Sequence, residues 1–131
     1  MDEFDYVLAA VPDSLLAAGP DIGHLAWTGA DVVAWVAANA ERISDLHVKD
    51  LDLALAEESR RTPTPYFEVM SQRFFLEPGL GDVPIIAALA ALPGDFAGSV
   101  IIEVDKPSME PFESAKTSWS WVASTYPEAG R

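Results

Sequence analysis

A chain of 131 residues that is 50% hydrophobic has enough apolar material for one domain with a real core, which excludes an intrinsically disordered polypeptide. Its formal charge of -13 would repel nucleic-acid backbones and anionic lipid surfaces, so neither is expected as a partner. No apolar run approaches the ~20 residues of a membrane span. The acidic start Met1-Asp2-Glu3-Phe4-Asp5 is unlike the basic, then apolar, opening of a signal peptide. Cysteine is absent, which removes disulfides and thiolate metal ligands and fits a cytoplasmic location.

In chain order, Phe4, Val7, Leu8 and Val11 recur at helical spacing and predict a helix over 2–11, stopped by Pro12-Asp13. Residues 15–21 read as a short buried strand in which Pro20 suits only the last step, because proline donates nothing to a ladder. Asp31 is placed to cap a helix over 32–42 with an apolar stripe of Val32, Val33, Val36, Ala37 and Ala40. A second strand is expected over 43–51, with His47 and Lys49 on one face. Periodicity weakens from 52 to 82, where Thr62-Pro63-Thr64-Pro65 and Glu77-Pro78-Gly79-Leu80-Gly81-Asp82 read as loop, with room for a small irregular element. A helix over 83–92, a strand over 99–103 and a helix over 112–124 opened by Pro111 complete the pattern; the last helix would turn Phe112, Ala115, Trp119 and Val122 inward. Alternation of this kind predicts an α/β fold of parallel strands with right-handed crossovers, and near-continuous apolar strands predict burial on both faces.

Polar clusters fall where the three strands should end: Asp21-Ile22-Gly23-His24, His47-Val48-Lys49-Asp50 and Glu103-Val104-Asp105. Groups that act on ligands in parallel α/β folds lie beyond the carboxyl ends of the strands. Each cluster also has an ordinary explanation. Asp21 can cap its own turn at Gly23 beside a surface His24, His47 can be a hydrogen-bonded core histidine, and Trp27 can be packing rather than the wall of a sugar-sized pocket. Lys49 on a buried face needs an anion or a wet cavity. Glu103 follows four residues that end a strand, and its carboxylate there needs a cation, a metal or a proton. Together, Asp21, His47 and Glu103 form an oxygen–nitrogen donor set suited to Mn²⁺, Co²⁺, Mg²⁺ or Zn²⁺. A Gly-x-Ser-x-Gly elbow is missing, and Gly79-Leu80-Gly81 precedes no Lys-Ser/Thr pair, so neither a serine nucleophile nor a phosphate loop is expected.

The stretches 21–29 (Asp-Ile-Gly-His-Leu-Ala-Trp-Thr-Gly), 46–50 (Leu-His-Val-Lys-Asp), 78–83 (Pro-Gly-Leu-Gly-Asp-Val) and 101–105 (Ile-Ile-Glu-Val-Asp) resemble, in order and spacing, the xylose isomerase-like TIM barrels. The likeness is to the sugar phosphate isomerase/epimerases and most of all to inosose dehydratase-type members. It covers nearly the whole chain, residues 1–131, as a partial barrel domain: the C-terminal part, about three β/α units corresponding to strands 6–8 of eight. The resemblance implies a divalent metal held by Asp21, His47 and Glu103, with a fourth ligand, a glutamate of the preceding strand, that would lie before Met1. It implies that His24 contacts a substrate oxygen and that Glu103 takes part in acid/base chemistry, while Lys49 and Trp27 are further substrate-binding candidates and Asp50 belongs to a shared motif.

The implied activity is proton abstraction α to the carbonyl of a polyhydroxy ketone through an enediolate, as in sugar isomerisation or epimerisation, or, with loss of water, dehydration of a keto-inositol. The expected partner is a small sugar or cyclitol. An alternative is a non-catalytic half-barrel, or a subunit that completes a barrel through self-association as a homo-oligomer or through a separate N-terminal half.

Overall fold

The computed structural model describes residues 2–126. The chain runs through α1 (Asp2–Ala10), α2 (Ile22–Trp27), α3 (Val32–Asn39) with a 3-10 turn at Ala40–Arg42, β1 (Asp45–Val48), β2 (Asp50–Leu51), α4 (Leu53–Arg61), α5 (Tyr66–Ser71), β3 (Phe75–Leu76), α6 (Ile85–Ala90), β4 (Ser99–Ile102) and α7 (Pro111–Thr125). β1 pairs with β4 in parallel, from Asp45 opposite Ser99 to Val48 opposite Ile102. On the other side, residues 18–21 form two parallel bridges, Ala18 to Ile43 just before β1 and Asp21 to His47 within it. This is a mixed α/β architecture with parallel strands, consistent with part of a TIM barrel. No helix among the described residues is long and apolar enough to cross a membrane.

The first strand is reduced to those two bridges. Pro20 accepts from His47 N–H at 2.9 Å but has no N–H to return, and Leu15 and Leu16 upstream are exposed rather than buried. The second expected strand is interrupted at Lys49, leaving β1 and β2 as separate pieces. β2 then pairs antiparallel with β3, Asp50 opposite Leu76, so the strands are not all parallel.

Residues 52–82, read as loop, hold two helices and a strand. Asp52 caps α4 by accepting from Leu55 N–H at 2.9 Å, and Pro65 precedes α5. α4 is short and predominantly polar, with Ala56 its one buried residue, so its composition resembles that of a loop although its few apolar residues share a face.

The core lies around β1 and β2, where Leu46, Val48 and Leu51 are fully buried with Ile22, Val36, Phe74 and Ala88. β4 departs from the expected burial on both faces: Val100 is 45% and Ile101 39% exposed. The inward face of α7 differs as well. Phe112 (78%) and Trp119 (56%) are exposed, whereas Ser114 and Ser118 are buried and Trp121 is half-buried. Glu77, wholly buried just after β3, decides that rotation. It accepts from the backbone N–H and hydroxyl of Ser108 and hydrogen-bonds Ser114, so the start of α7 is tied by polar contacts.

Asp50, also buried, accepts from the backbone N–H groups of Leu51, Gly79, Gly81 and Val83 at 2.9–3.0 Å. Burial raises its carboxyl above the usual range against the opposing pull of those four donors. The loop 78–83 therefore folds around one carboxylate. Gly79 adopts φ +83°, and a Cβ at Gly81 would lie 2.4 Å from Asp50 Oδ1 and 2.7 Å from the Leu51 carbonyl.

Two stability measurements test these anchors. Gly81→Ala is expected to cost about 1–3 kcal/mol, because neither Asp50 nor the Leu51 backbone can retreat; a thermal midpoint equal to wild type would show that the loop yields. For Glu77, burial pushes the carboxyl up, but the hydrogen bonds from Ser108 and Ser114 outweigh it and leave a net depression. A depressed carboxyl stabilises the fold above its ordinary value and loses that contribution as pH falls through the folded value. Glu77→Gln is thus expected to lose on the order of 1–3 kcal/mol at pH 7, and the gap in urea unfolding should shrink as pH falls below the ordinary carboxyl range. A gap that stays constant with pH would mean that the charge of Glu77 contributes nothing.

Candidate functional site

Three parallel segments deliver side chains to one end of the sheet. Asp21 is the N-cap of α2: its Oδ1 accepts from His24 N–H at 3.0 Å, which leaves Oδ2 facing Lys49. His47, bridged to Asp21 across the sheet, lies in β1. Glu103 extends the β4 ladder by one step, its N–H donating to the Val48 carbonyl at 3.0 Å, and its Oε2 lies 2.6 Å from His47 Nδ1.

Lys49 occupies the break between β1 and β2 and is 1% exposed. Its Nζ lies 2.8 Å from Asp21 Oδ2, 2.8 Å from Asp105 Oδ1, 3.2 Å from Glu103 Oε1 and 3.1 Å from His24 Nε2. The ammonium also stands 5.5 Å from the centre of the Phe75 ring. Burial alone would lower the lysine pKa, but the hydrogen bonds and charges of Asp105 and Asp21 hold it well above the ordinary value, so Lys49 is a fixed cation. Gly23 serves this contact rather than a tight turn. It sits inside α2 with no positive φ, and a Cβ there would lie 2.7 Å from the Lys49 carbonyl, so its bare backbone lets the helix close on Lys49.

Asp105 closes the Glu103-Val104-Asp105 cluster, and the sequence pattern assigns it no role. Two residues apart in an extended segment, both carboxylates reach Lys49, and this period-two spacing was the available signal. Burial raises the Asp105 carboxyl, but Lys49, the Tyr66 hydroxyl donating to Oδ2 at 2.9 Å, and Glu103 together hold it below the usual range. Tyr66 left no sequence signal, since it comes from a helix within the stretch read as loop. Asp50, despite its place in the same motif as His47 and Lys49, turns away to the 78–83 loop.

His24 lies beside the cluster. Its ring stacks on Trp27 at 5.9 Å, and its Nε2 accepts from Lys49, which places the ring proton on Nδ1. Trp27 belongs to an aromatic group with Phe74 and Tyr66, centroids at 4.6 and 5.7 Å, and its indole N–H donates to Ser59 Oγ at 2.7 Å.

Asp21, His47 and Glu103 each offer one donor atom, and the three atoms lie within 4.8 Å of one another. An ion with bonds of about 2.1 Å would need donors roughly 3–4.2 Å apart, so small side-chain adjustments would bring these three to it. The three are half-buried and open to solvent on one side. Charge agrees: the carboxylates of Asp21, Glu103 and Asp105 against the single ammonium of Lys49 leave a double negative charge, which one divalent cation would balance.

No protein-family model matches the chain. Curated proteins similar to it include the inosose dehydratase of Clostridium beijerinckii, 25% identical over 126 residues, which are 92% of this chain and 42% of that protein. The inosose dehydratase of Mesomycoplasma hyopneumoniae (strain 7448) is 29% identical over 109 residues, 79% of this chain and 36% of that protein, and that of Lactiplantibacillus plantarum is 25% identical over 126 residues, 92% and 41% respectively. The chain thus spans about two fifths of the length of the curated relatives it matches. Identity at this level supports a relationship with the xylose isomerase-like superfamily and nothing finer.

Proposed function

We propose that this chain carries most of the metal-binding centre of a sugar isomerase/epimerase or inosose dehydratase-like enzyme, which moves a proton α to the carbonyl of a polyhydroxy ketone. The observation that carries the reading is the convergence of Asp21, His47 and Glu103 from three neighbouring parallel segments. Similarity to inosose dehydratases over 79–92% of the chain supports it. These three residues would hold the divalent ion, of which Mn²⁺, Co²⁺, Mg²⁺ and Zn²⁺ all suit the donor set. Bound there, it would polarise a substrate carbonyl and neighbouring hydroxyl.

The roles of the side chains follow from their positions. The Glu103 carboxylate, at 39% side-chain exposure, can be reached from solvent and takes or returns the proton at the α-carbon. His24 presents its Nδ1–H to a substrate hydroxyl or carbonyl oxygen. Lys49 pairs with the carboxylates of Asp21, Glu103 and Asp105 and fixes their spacing, and Trp27 offers a flat apolar wall beside His24. After the α-proton leaves, return of a proton gives isomerisation or epimerisation; departure of a β-hydroxyl as water gives dehydration.

A second reading has its own support. Val100 and Ile101 of β4 are exposed, and β4 pairs on one side only among the described strands. Such an apolar edge favours a chain that works after a partner chain or another copy covers it. In that case the chain is a non-catalytic half-barrel, or a subunit active only in an assembly.

The deciding experiment is titration with Mn²⁺ by calorimetry, alongside light scattering and assays on keto-inositols and ketoses. Glu103→Gln is expected to keep the fold, since the side chain is part-exposed, and to weaken Mn²⁺ by more than the roughly 10–100-fold that outer-sphere partners carry. Equal affinity in the variant would remove Glu103 from the ligand set. A monomer that binds no divalent ion and is inactive on these substrates would sink the enzyme reading.

A further inference from the structure

The lysine at the centre of the cluster is surrounded as a metal ion would be. Four donor atoms lie 2.8–3.2 Å from Lys49 Nζ: a carboxylate oxygen each from Asp21, Asp105 and Glu103, and the Nε2 of His24. An ammonium has three hydrogens to share among four acceptors, so this shell exceeds what hydrogen bonding needs. Glu103 divides its two oxygens, Oε2 towards His47 and Oε1 towards Lys49. A carboxylate split in this way is the bridging arrangement of two-cation sites, in which the ions sit about 3.5–4 Å apart.

We infer that Lys49 is a built-in cation filling a second metal position, and that it restricts this cluster to a single divalent ion. The inference rests on the single-ion reading above for the Asp21–His47–Glu103 position and adds the role of Lys49 to it. Its physical basis is charge. With the ammonium present, one divalent ion balances the three carboxylates; a second would add a double positive charge against a buried cation about 3 Å from the same oxygens. Remove the lysine charge, and Asp21, His24, Glu103 and Asp105 become a second donor set of oxygen and nitrogen atoms. Lys49 also competes with the first ion, because it already holds one oxygen each of Asp21 and Glu103.

The test counts ions. Mn²⁺ is titrated by calorimetry into the full chain and into Lys49→Met, and electron paramagnetic resonance reports whether two Mn²⁺ ions are close enough to couple. One ion in the wild type and two coupled ions in Lys49→Met are expected. One ion at unchanged affinity in both overturns this inference but leaves the metal reading standing, and two ions in the wild type overturns it as well. If the wild type binds none and Lys49→Met binds one or more, Lys49 still blocks a cation, and the single-ion reading is what fails. No ion in either removes both. Because Lys49→Met leaves three carboxylates facing one another, a second variant covers loss of folding. Lys49→Met combined with Asp105→Asn restores the original charge and is expected to bind one Mn²⁺ at least about 10-fold tighter than wild type, since the competing ammonium is gone. Affinity no tighter than wild type in that double variant overturns the proposal.

Discussion

A buried ammonium is the constraint around which this chain is arranged. Lys49 is almost wholly out of solvent, and an unpaired charge there would cost several kcal/mol. Its partners therefore have to come from elsewhere in the chain. Asp21 arrives on the cap of α2, while Glu103 and Asp105 arrive on the segment after β4. The ion pairs thus bind together the same three parallel segments that the sheet joins through backbone hydrogen bonds. Gly23 lets α2 pack directly on Lys49, and Phe75 lies under the ammonium. Whatever chemistry the cluster performs, its geometry is set first by the need to neutralise this lysine.

Two buried carboxylates show the same logic with the sign reversed, and they separate structure from site. Asp50 follows Lys49 directly, yet its oxygens are consumed by four backbone N–H groups. Glu77 is consumed by Ser108 and Ser114. Neither has an oxygen left for a ligand. By contrast, the carboxylates around Lys49 are part-exposed. Satisfaction by fixed donors from backbone and serine hydroxyls marks a carboxylate that holds the fold.

The relationship with proteins more than twice as long gives the open side of the sheet a meaning. β4 shows apolar side chains to solvent, α7 exposes Phe112 and Trp119, and the core is concentrated around β1 and β2. The most complete packing surrounds β1, which carries His47, and Lys49 just after it, while the most exposed apolar side chains lie on β4 and α7.

Much of this was legible in local chemistry. Parallel strands within 43–51 and 99–103 followed from apolar runs alternating with helical stretches, and the polar clusters at strand ends followed from charges placed where an apolar run stops; which strands pair, 45–48 with 99–102, came from the structure. Asp31 as a helix cap was equally local. The misses have two causes: tertiary contacts overrode pattern in α7 and around Lys49, and local chemistry misled elsewhere. α7 was assigned its inward face by hydrophobicity, yet a buried Glu77 turned Ser114 and Ser118 inward instead. The 15–21 strand shrank to two bridges because Pro20 cannot donate. Helices α4 and α5 are short and expose most of their surface, and α4 is mostly polar, so they resemble loop in composition. Asp105 and Tyr66 joined the cluster only through folding, since nothing in the chain announces that a tyrosine from a stretch read as loop will donate to a carboxylate 39 residues away. By itself the sequence determined which residues could carry charge at the strand ends, because side-chain chemistry and period are local properties. Only the tertiary structure decided which of those charges face each other, because partnership between a buried ammonium and its carboxylates is set by packing at long range.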